Sequence, residues 1–195
     1  MDIVSNEHNN VIAEKYSNPD YPLTPDERKS INELKKNVFR GNTQQIKELV
    51  NSPEDNYEIE NVPAFGFRDV DGNIKTAVNT DLAPDDHADF VEEHECVEQY
   101  LREHPNRAKQ LLEILKIEIE EKALEHRPEH YVATYFELLV AMRAGKLQEQ
   151  IDLFNKSNTK FLSSIDLEEM PELANGLRVQ ASSRDKISKL LQTQN

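Results

Sequence analysis

The chain has 195 residues, of which 37% are hydrophobic and 31% charged, and its formal net charge is −14. This length and polarity suit one globular domain with its own core, and the negative charge argues against binding to nucleic acid or to anionic membranes. The single cysteine, Cys96, excludes an intramolecular disulfide, so we expect a cytoplasmic protein. No apolar run reaches the ~18 residues of a membrane span, so we expect no transmembrane helix.

The N-terminal residues 1–22 are predicted to form a flexible arm, because Asn, Ser, Asp and Pro are frequent there. The first helix begins at Thr24, which suits the N-cap position, with Pro25 and Glu27 in the first turn. Apolar residues at helical spacing continue this helix to an expected end at Gly41. They are Ile31, Leu34 and Val38.

A change from helical to alternating periodicity predicts a β-hairpin near residues 64–79. Asp71-Gly72 lies between the two alternating runs and suits a two-residue turn, since both turn positions need positive φ. In that register Phe67 lies opposite Thr76, and one face of the hairpin is largely apolar.

Helical patterns dominate the rest of the chain, with breaks at prolines and glycines. The predicted helices cover residues 84–104, 106–126, 128–145 and 147–154. A last helix is expected to begin at a cap on Ser182 or Ser183 and to run into a fraying tail. The predicted fold is therefore mainly α with one β-hairpin, as a single irregular helical domain over residues 23–180 and a C-terminal helix and tail over residues 181–195.

Two segments share a pattern in which a longer helix ends at glycine and a short amphipathic helix follows. They surround Gly41 and Gly145, which lie about three periods of ~33 residues apart. This helix–glycine–helix pattern resembles the paired helices of ankyrin repeats. The resemblance implies an ankyrin-like scaffold that binds proteins and needs no cofactor.

An acidic block near the C-terminus is similar to the glutamate-rich signal of bacterial type IV secretion effectors. It consists of Glu168, Glu169 and Glu172 and is followed by a polar segment. The resemblance implies a secreted effector that is translocated into a host cell.

The sequence around Pro128 spells H-x-x-E-H and resembles the pattern of the inverted zinc peptidases. His126 and His130 would bind zinc there, and Glu129 would activate the water. Because Pro128 favours the first turn of a helix, His126 is expected before the helix and not one turn below His130.

A second group of ligand-type residues lies in the helix predicted over residues 84–104. His87 and His94 are seven residues apart and share a helix face, Glu98 is nearby, and Cys96 points elsewhere. A zinc site usually takes ligand pairs from two segments, and the sequence shows no second pair. We therefore predict no metal and no cofactor.

The function that these patterns favour is a non-enzymatic protein–protein interaction module, either an adaptor or a secreted effector. Its partner is expected to be a protein, with a basic surface that complements the acidic chain. The predicted partner-binding residues are Phe65, Phe67, Tyr131 and Tyr135. The alternative is an enzyme whose site is assembled from distant residues, in the form of a zinc hydrolase that uses His126, Glu129 and His130.

Overall fold

Helices dominate the fold, as the sequence predicts. A computed structural model of the chain describes residues 20–50, 56–69, 71, 73–117, 127–164 and 171–193. Within those ranges the helices are α1 (Pro25–Lys35), α2 (Thr43–Leu49), α3 (Asn56–Asn61), α4 (Asp85–Arg102), α5 (Pro105–Leu115), α6 (Pro128–Arg143), α7 (Leu147–Ser164) and α8 (Pro171–Gln192). The strands are β1 (Val38–Gly41), β2 (Ala64–Arg68) and β3 (Ile74–Asn79).

The three strands form one sheet in the order β1-β3-β2, and its parallel strand was not expected. The prediction that the first helix continues to Gly41 is wrong, because α1 ends at Lys35 and Val38 pairs with Thr76 of β3. Val38 and Phe39 are β-branched and aromatic, and their backbone groups find partners in β3 instead of in a further helical turn. A parallel pair joins segments that are far apart in sequence, so no local sequence pattern predicts the pairing of β1 with β3.

The predicted hairpin is confirmed, with β2 antiparallel to β3, but its register differs by one residue. Phe67 lies opposite Lys75 and not opposite Thr76. The Asp69 carboxylate accepts hydrogen bonds from the backbone N–H groups of Asp71 at 3.0 Å and Asn73 at 2.9 Å. This side-chain turn encloses three residues between positions 69 and 73, and the extra residue shifts the pairing.

The predicted N-cap of the first helix is confirmed in its atomic detail. Thr24 Oγ1 accepts from the backbone N–H of Glu27 at 3.3 Å, and Glu27 Oε2 accepts from the backbone N–H of Thr24 at 2.7 Å. Glu27 also binds the guanidinium of Arg107 on α5, with Nε and Oε1 2.5 Å apart. The cap therefore fixes the start of α1 and ties it to α5.

Three predicted helix ends need correction. Helix α5 ends at Leu115, where Lys116 adopts a left-handed conformation with φ 55°, and α7 continues to Ser164. Helix α8 begins at Pro171, so the expected cap at Ser182 or Ser183 lies inside it, and the Ser183 hydroxyl donates to the carbonyl of residue 179 at 2.8 Å. The expected boundary between residues 180 and 181 is thus within one helix. The predicted arm lies outside the described residues, except for residues 20–22.

The main core forms where α6 packs between α4, α5 and α8. Helix α6 is buried on nearly all sides, which suits its mostly apolar sequence. Only four residues of α4 are exposed, because its other faces meet α1, the sheet and α6. Fully buried members of this core include Ile31, Leu101, Leu111, Phe136, Leu138, Ile187 and Leu191.

Two smaller apolar clusters cover the sheet. One contains Ile46, Ile59, Phe65 and Phe67, and the other contains Val78, Ala88 and Val91. Of the helices that the structure describes, none combines the length and hydropathy that crossing a bilayer requires.

Candidate metal centre

Three ligand-type side chains meet where α4 faces the beginning of α6. His94 and Glu98 lie one turn apart on α4, and His130 is the third residue of α6. His94 Nε2 lies 3.1 Å from Glu98 Oε2 and 3.1 Å from His130 Nδ1. His130 Nδ1 lies 2.7 Å from the same Glu98 oxygen. The three atoms form a small triangle between two well-packed helices, which we call the His94–Glu98–His130 triad.

The size of this triangle suits a single metal ion. Its sides of 2.7, 3.1 and 3.1 Å give a circumradius of about 1.7 Å, and zinc bonds to nitrogen and oxygen are about 2.0–2.1 Å long. Ideal tetrahedral ligands are about 3.3 Å apart at these bond lengths, so binding requires the three distances to lengthen by about 0.2–0.6 Å.

Hydrogen bonds alone do not satisfy the triad. If both ring nitrogens carry protons and donate to the Glu98 carboxylate, the two N–H groups of His94 and His130 stand against each other at 3.1 Å. If one of the two ring nitrogens lacks its proton, its lone pair faces a lone pair of the ionised Glu98 carboxylate. A cation bound by all three atoms removes both conflicts.

The other ring nitrogen of His94 binds a buried carboxylate. His94 Nδ1 lies 2.7 Å from Glu137 Oε2, and the second oxygen of Glu137 accepts from Gln150 Nε2 at 2.8 Å and from Arg184 at 3.1 Å. All four side chains are buried. A carboxylate on the far nitrogen is the usual support of a metal-binding histidine, because it fixes the ring and leaves the near nitrogen as a ligand.

The second oxygen of Glu98 is occupied as well. Arg102 and Arg127 both donate from a terminal guanidinium nitrogen to Glu98 Oε1. Only Oε2 therefore faces the two histidines, so Glu98 would bind a metal through one oxygen.

The electrostatics of the triad favour positive charge at its centre. Burial alone would lower the pKa of His94, but its hydrogen bonds to Glu137 and Glu98 raise that pKa to about 9. Burial and the neighbouring charge of His94 lower the pKa of His130 to about 4, against its hydrogen bond to Glu98. Burial would raise the pKa of Glu137, but Arg184 and His94 lower it to about 2. Burial would raise the pKa of Glu98 as well, but its hydrogen bonds to His130 and His94 hold that pKa well below its usual value, so Glu98 and Glu137 are both ionised.

The triad opens on a cavity of about 340 Å³. Its walls come from α4, the start of α6, the inner turns of α7 and α8, and the free edge of β2. This volume is within the range of small-molecule sites. Residues of the triad and its supports line the cavity together with Val91, Glu95, Phe154 and the segment from residue 61 to residue 66.

Glu95 is a further carboxylate on the wall of this cavity. Burial, followed by the negative charge of Glu98, raises the pKa of Glu95 to about 8. The positive charges of His94 and Arg102 act to lower the pKa of Glu95, but their effect is smaller. The cavity therefore holds one carboxyl group, Glu95, that is mostly protonated at neutral pH, beside the ionised carboxylates of Glu98 and Glu137.

The predicted partner-binding residues lie in the interior. Phe65 and Phe67 pack in the cluster under the sheet with their ring centroids 6.1 Å apart, and Tyr131 and Tyr135 belong to the main core. All four side chains are buried, and only Phe65 also lines the cavity. The interaction-module hypothesis stays a prediction, and it would need other contact residues.

The resemblances noted in the sequence are not settled by the fold. Gly145 adopts a positive φ of 72° just after α6, whereas Gly41 is the last residue of β1. Glu168 and Glu169 lie outside the described residues, and Glu172 is in the first turn of α8. The ankyrin-like and effector hypotheses both stay predictions.

Only one residue of the H-x-x-E-H pattern belongs to the triad. His126 lies outside the described residues, and the described contact of Glu129 is with Arg127 Nε at 3.9 Å. In the sequence, His94, Glu98 and His130 are all recognisable as ligand-type residues, but they fall in two separate patterns. The helical spacing of His94 and Glu98 was the available signal, while their meeting with His130 depends on how α4 packs on α6.

Other ligand-type residues form a less developed group. Asp86, His87 and Glu149 have ligand atoms within 4.8 Å of one another, but the two carboxylates are exposed and Asp86 pairs with Lys146. His87 Nδ1 already lies 2.6 Å from Gln150 Oε1. Cys96 is buried apart from both groups, and burial raises the pKa of its thiol to about 12.

Comparison of the chain with protein-family models, curated proteins and solved structures found no match. Any functional assignment therefore depends on the geometry of the site.

Proposed function

We propose that the chain is a metal-dependent hydrolase in which His94, Glu98 and His130 bind one zinc ion at the wall of the cavity. The convergence of three ligand atoms within 3.1 Å of one another carries this proposal. Two histidines and one carboxylate, with a remaining position open to a cavity, are the ligand set of many hydrolytic zinc sites.

Each surrounding group supports this reading. Zinc held by these three ligands would keep a fourth position for water and would lower the pKa of that water towards 7, the chemistry that hydrolysis of an ester or amide needs. Glu137 orients the His94 ring, and the arginines on Glu98 Oε1 restrict Glu98 to one ligand atom. Glu95 lines the same cavity, and its ionised form, a stronger base than an ordinary carboxylate because its pKa is raised to about 8, can accept the proton of the water.

Metal analysis of the purified protein tests the ion itself. We expect one zinc per chain after exposure to a mixture of divalent ions, and a loss of at least tenfold in zinc affinity in His94→Ala and His130→Ala. His104→Ala is the matched control, because His104 is exposed between α4 and α5, where its Nδ1 lies 2.8 Å from the Tyr100 carbonyl oxygen and its ring stacks on Tyr100. Circular dichroism and thermal melts establish that each variant is folded, and His130→Gln provides a milder change if the alanine variant is not.

Hydrolysis of p-nitrophenyl acetate tests the chemistry, since this activated ester needs little beyond a metal-bound hydroxide. We expect turnover by the zinc-loaded protein that chelation removes, and Glu95→Gln should keep zinc while turning over more slowly, because the water then lacks its proton acceptor. A chain that takes up no metal, or keeps zinc after losing His94 or His130, would overturn the site. Selective uptake of iron would overturn the hydrolase assignment, because the same ligand set serves dioxygen chemistry.

A further inference from the structure

We infer that the cavity binds an oxyanion of its substrate, a phosphate or a carboxylate group, between Arg102 and Arg127 and beside the triad. This inference rests on the proposed function for its metal, and it adds the substrate class. Both arginines line the cavity, and their side chains are 52% and 44% exposed.

The two arginines have donors left for a ligand. A guanidinium carries five N–H donors in a planar fork. Arg102 and Arg127 each direct one terminal nitrogen to Glu98 Oε1, so much of each fork faces away from Glu98. Paired donors of this shape match the two oxygens of a carboxylate or phosphate.

Their common anchor places the arginines close to the triad. Glu98 presents Oε1 to the arginines and Oε2 to His94 and His130, so the two sets of groups are separated by the width of one carboxylate. An oxyanion held by the arginines would thus lie next to the metal, at a distance that one small substrate spans. The rest of that substrate would contact the apolar wall formed by Phe65 and Phe154.

A third guanidinium completes the inner wall of the cavity. The Arg184 side chain is only 9% exposed, lies 3.3 Å above the centre of the Phe154 ring, and donates to Glu137 through one terminal nitrogen. Its buried Nε has no hydrogen-bond partner among the residues that the structure describes. An unpaired buried donor is costly, and an oxyanion or its water shell in the cavity would satisfy it.

The charge balance of the cavity also favours an anion. Its walls carry three guanidinium groups against the three carboxylates of Glu95, Glu98 and Glu137. A bound divalent ion therefore leaves the site with net charge of about +2 even when all three carboxylates are ionised. The chain as a whole carries −14, so this excess of positive charge is a local feature that attracts an anion into the cavity.

Calorimetric titration of the zinc-loaded protein with inorganic phosphate and with acetate, at constant ionic strength, tests the inference. We expect saturable binding of at least one probe, weakened tenfold or more in Arg127→Met and in the double variant Arg102→Met/Arg127→Met. Arg178→Met is the matched control, because Arg178 is exposed on α8 and does not line the cavity. Zinc content is measured on every variant, so that loss of the metal is separated from loss of the anion.

The possible outcomes separate the two proposals. Binding of phosphate alone assigns phosphate esters as substrates, and binding of acetate alone assigns carboxylates. Arginine-dependent binding to a protein that takes up no zinc would support the oxyanion site while overturning the metal proposal. A zinc-loaded protein that binds neither probe, or binds them equally well without both arginines, would overturn the oxyanion site.

Discussion

Replacing Glu137 by glutamine should lower the zinc affinity by forcing His94 into the wrong tautomer. The oxygen of Glu137 that faces Gln150 and Arg184 accepts from two N–H donors, at 2.8 and 3.1 Å. In Glu137→Gln the amide oxygen must stay on that side, because an amide NH₂ group there would face two other donors. The NH₂ group then points at His94 Nδ1, which must become an acceptor.

The tautomer change has a defined consequence for the metal. A neutral imidazole that accepts at Nδ1 carries its proton on Nε2, and Nε2 is the His94 atom that faces Glu98 and His130. That nitrogen no longer offers a lone pair to zinc. Loss of such a supporting carboxylate typically costs 10–100-fold in metal affinity, which corresponds to about 1.4–2.7 kcal/mol.

Competition with a fluorescent zinc chelator would measure this change directly. Glu113→Gln is the control, since Glu113 is exposed on α5 and outside the cavity. Thermal melts of both variants without metal establish that Glu137→Gln is folded, because it also weakens the buried pair with Arg184. If Glu137→Gln binds zinc as tightly as the original chain, His94 Nε2 is not a ligand and the reasoning fails.

Three further predictions concern stability. Leu138→Ala should destabilise the fold by about 2–5 kcal/mol in urea denaturation, because Leu138 is fully buried in α6, whereas Leu49→Ala at a partly exposed site should cost clearly less. Asp69→Ala removes the carboxylate that closes the hairpin turn, so hydrogen exchange should show lower amide protection in β2 and β3 and unchanged protection in α6. Burial would raise the pKa of Glu27, but its hydrogen bond and charge interaction with Arg107 lower that pKa. The ionised Glu27 therefore stabilises the fold above the unfolded-state pKa of about 4.3, and this stabilisation is lost as the pH falls through the lower folded-state pKa. The gap in Tm between the original chain and Glu27→Gln should therefore close on acidification from pH 7 to pH 3, and a constant gap would contradict the assignment.

The parts of the fold that follow from local chemistry were predictable. Thr24 and Glu27 sit three residues apart in a capping box, and the proline at position 128 opens a helix because its missing N–H costs nothing there. The alternation of apolar and polar residues predicts the hairpin, but its register depends on how the Asp69 side chain folds back on the turn. Short-range hydrogen bonding of this kind has no signature in hydrophobic periodicity.

The parts that depend on distant contacts were not predictable. Val38 continues a helical stripe in sequence, and only pairing with β3 makes it part of a strand. The triad has the same origin, because His94 and His130 are brought to 3.1 Å by the packing of α4 on α6. A single sequence shows which residues can be ligands, but not which helix faces meet.

The nearly complete burial of α4 limits how its sequence can change. Its exposed residues are Asp85, Asp86, Asp89 and Arg102, and Arg102 is also tied to the triad. Random mutagenesis should find latitude at the three aspartates and little elsewhere along the helix. The side chains that α4 gives to the cavity wall therefore lie on a helix whose remaining positions mostly serve the core.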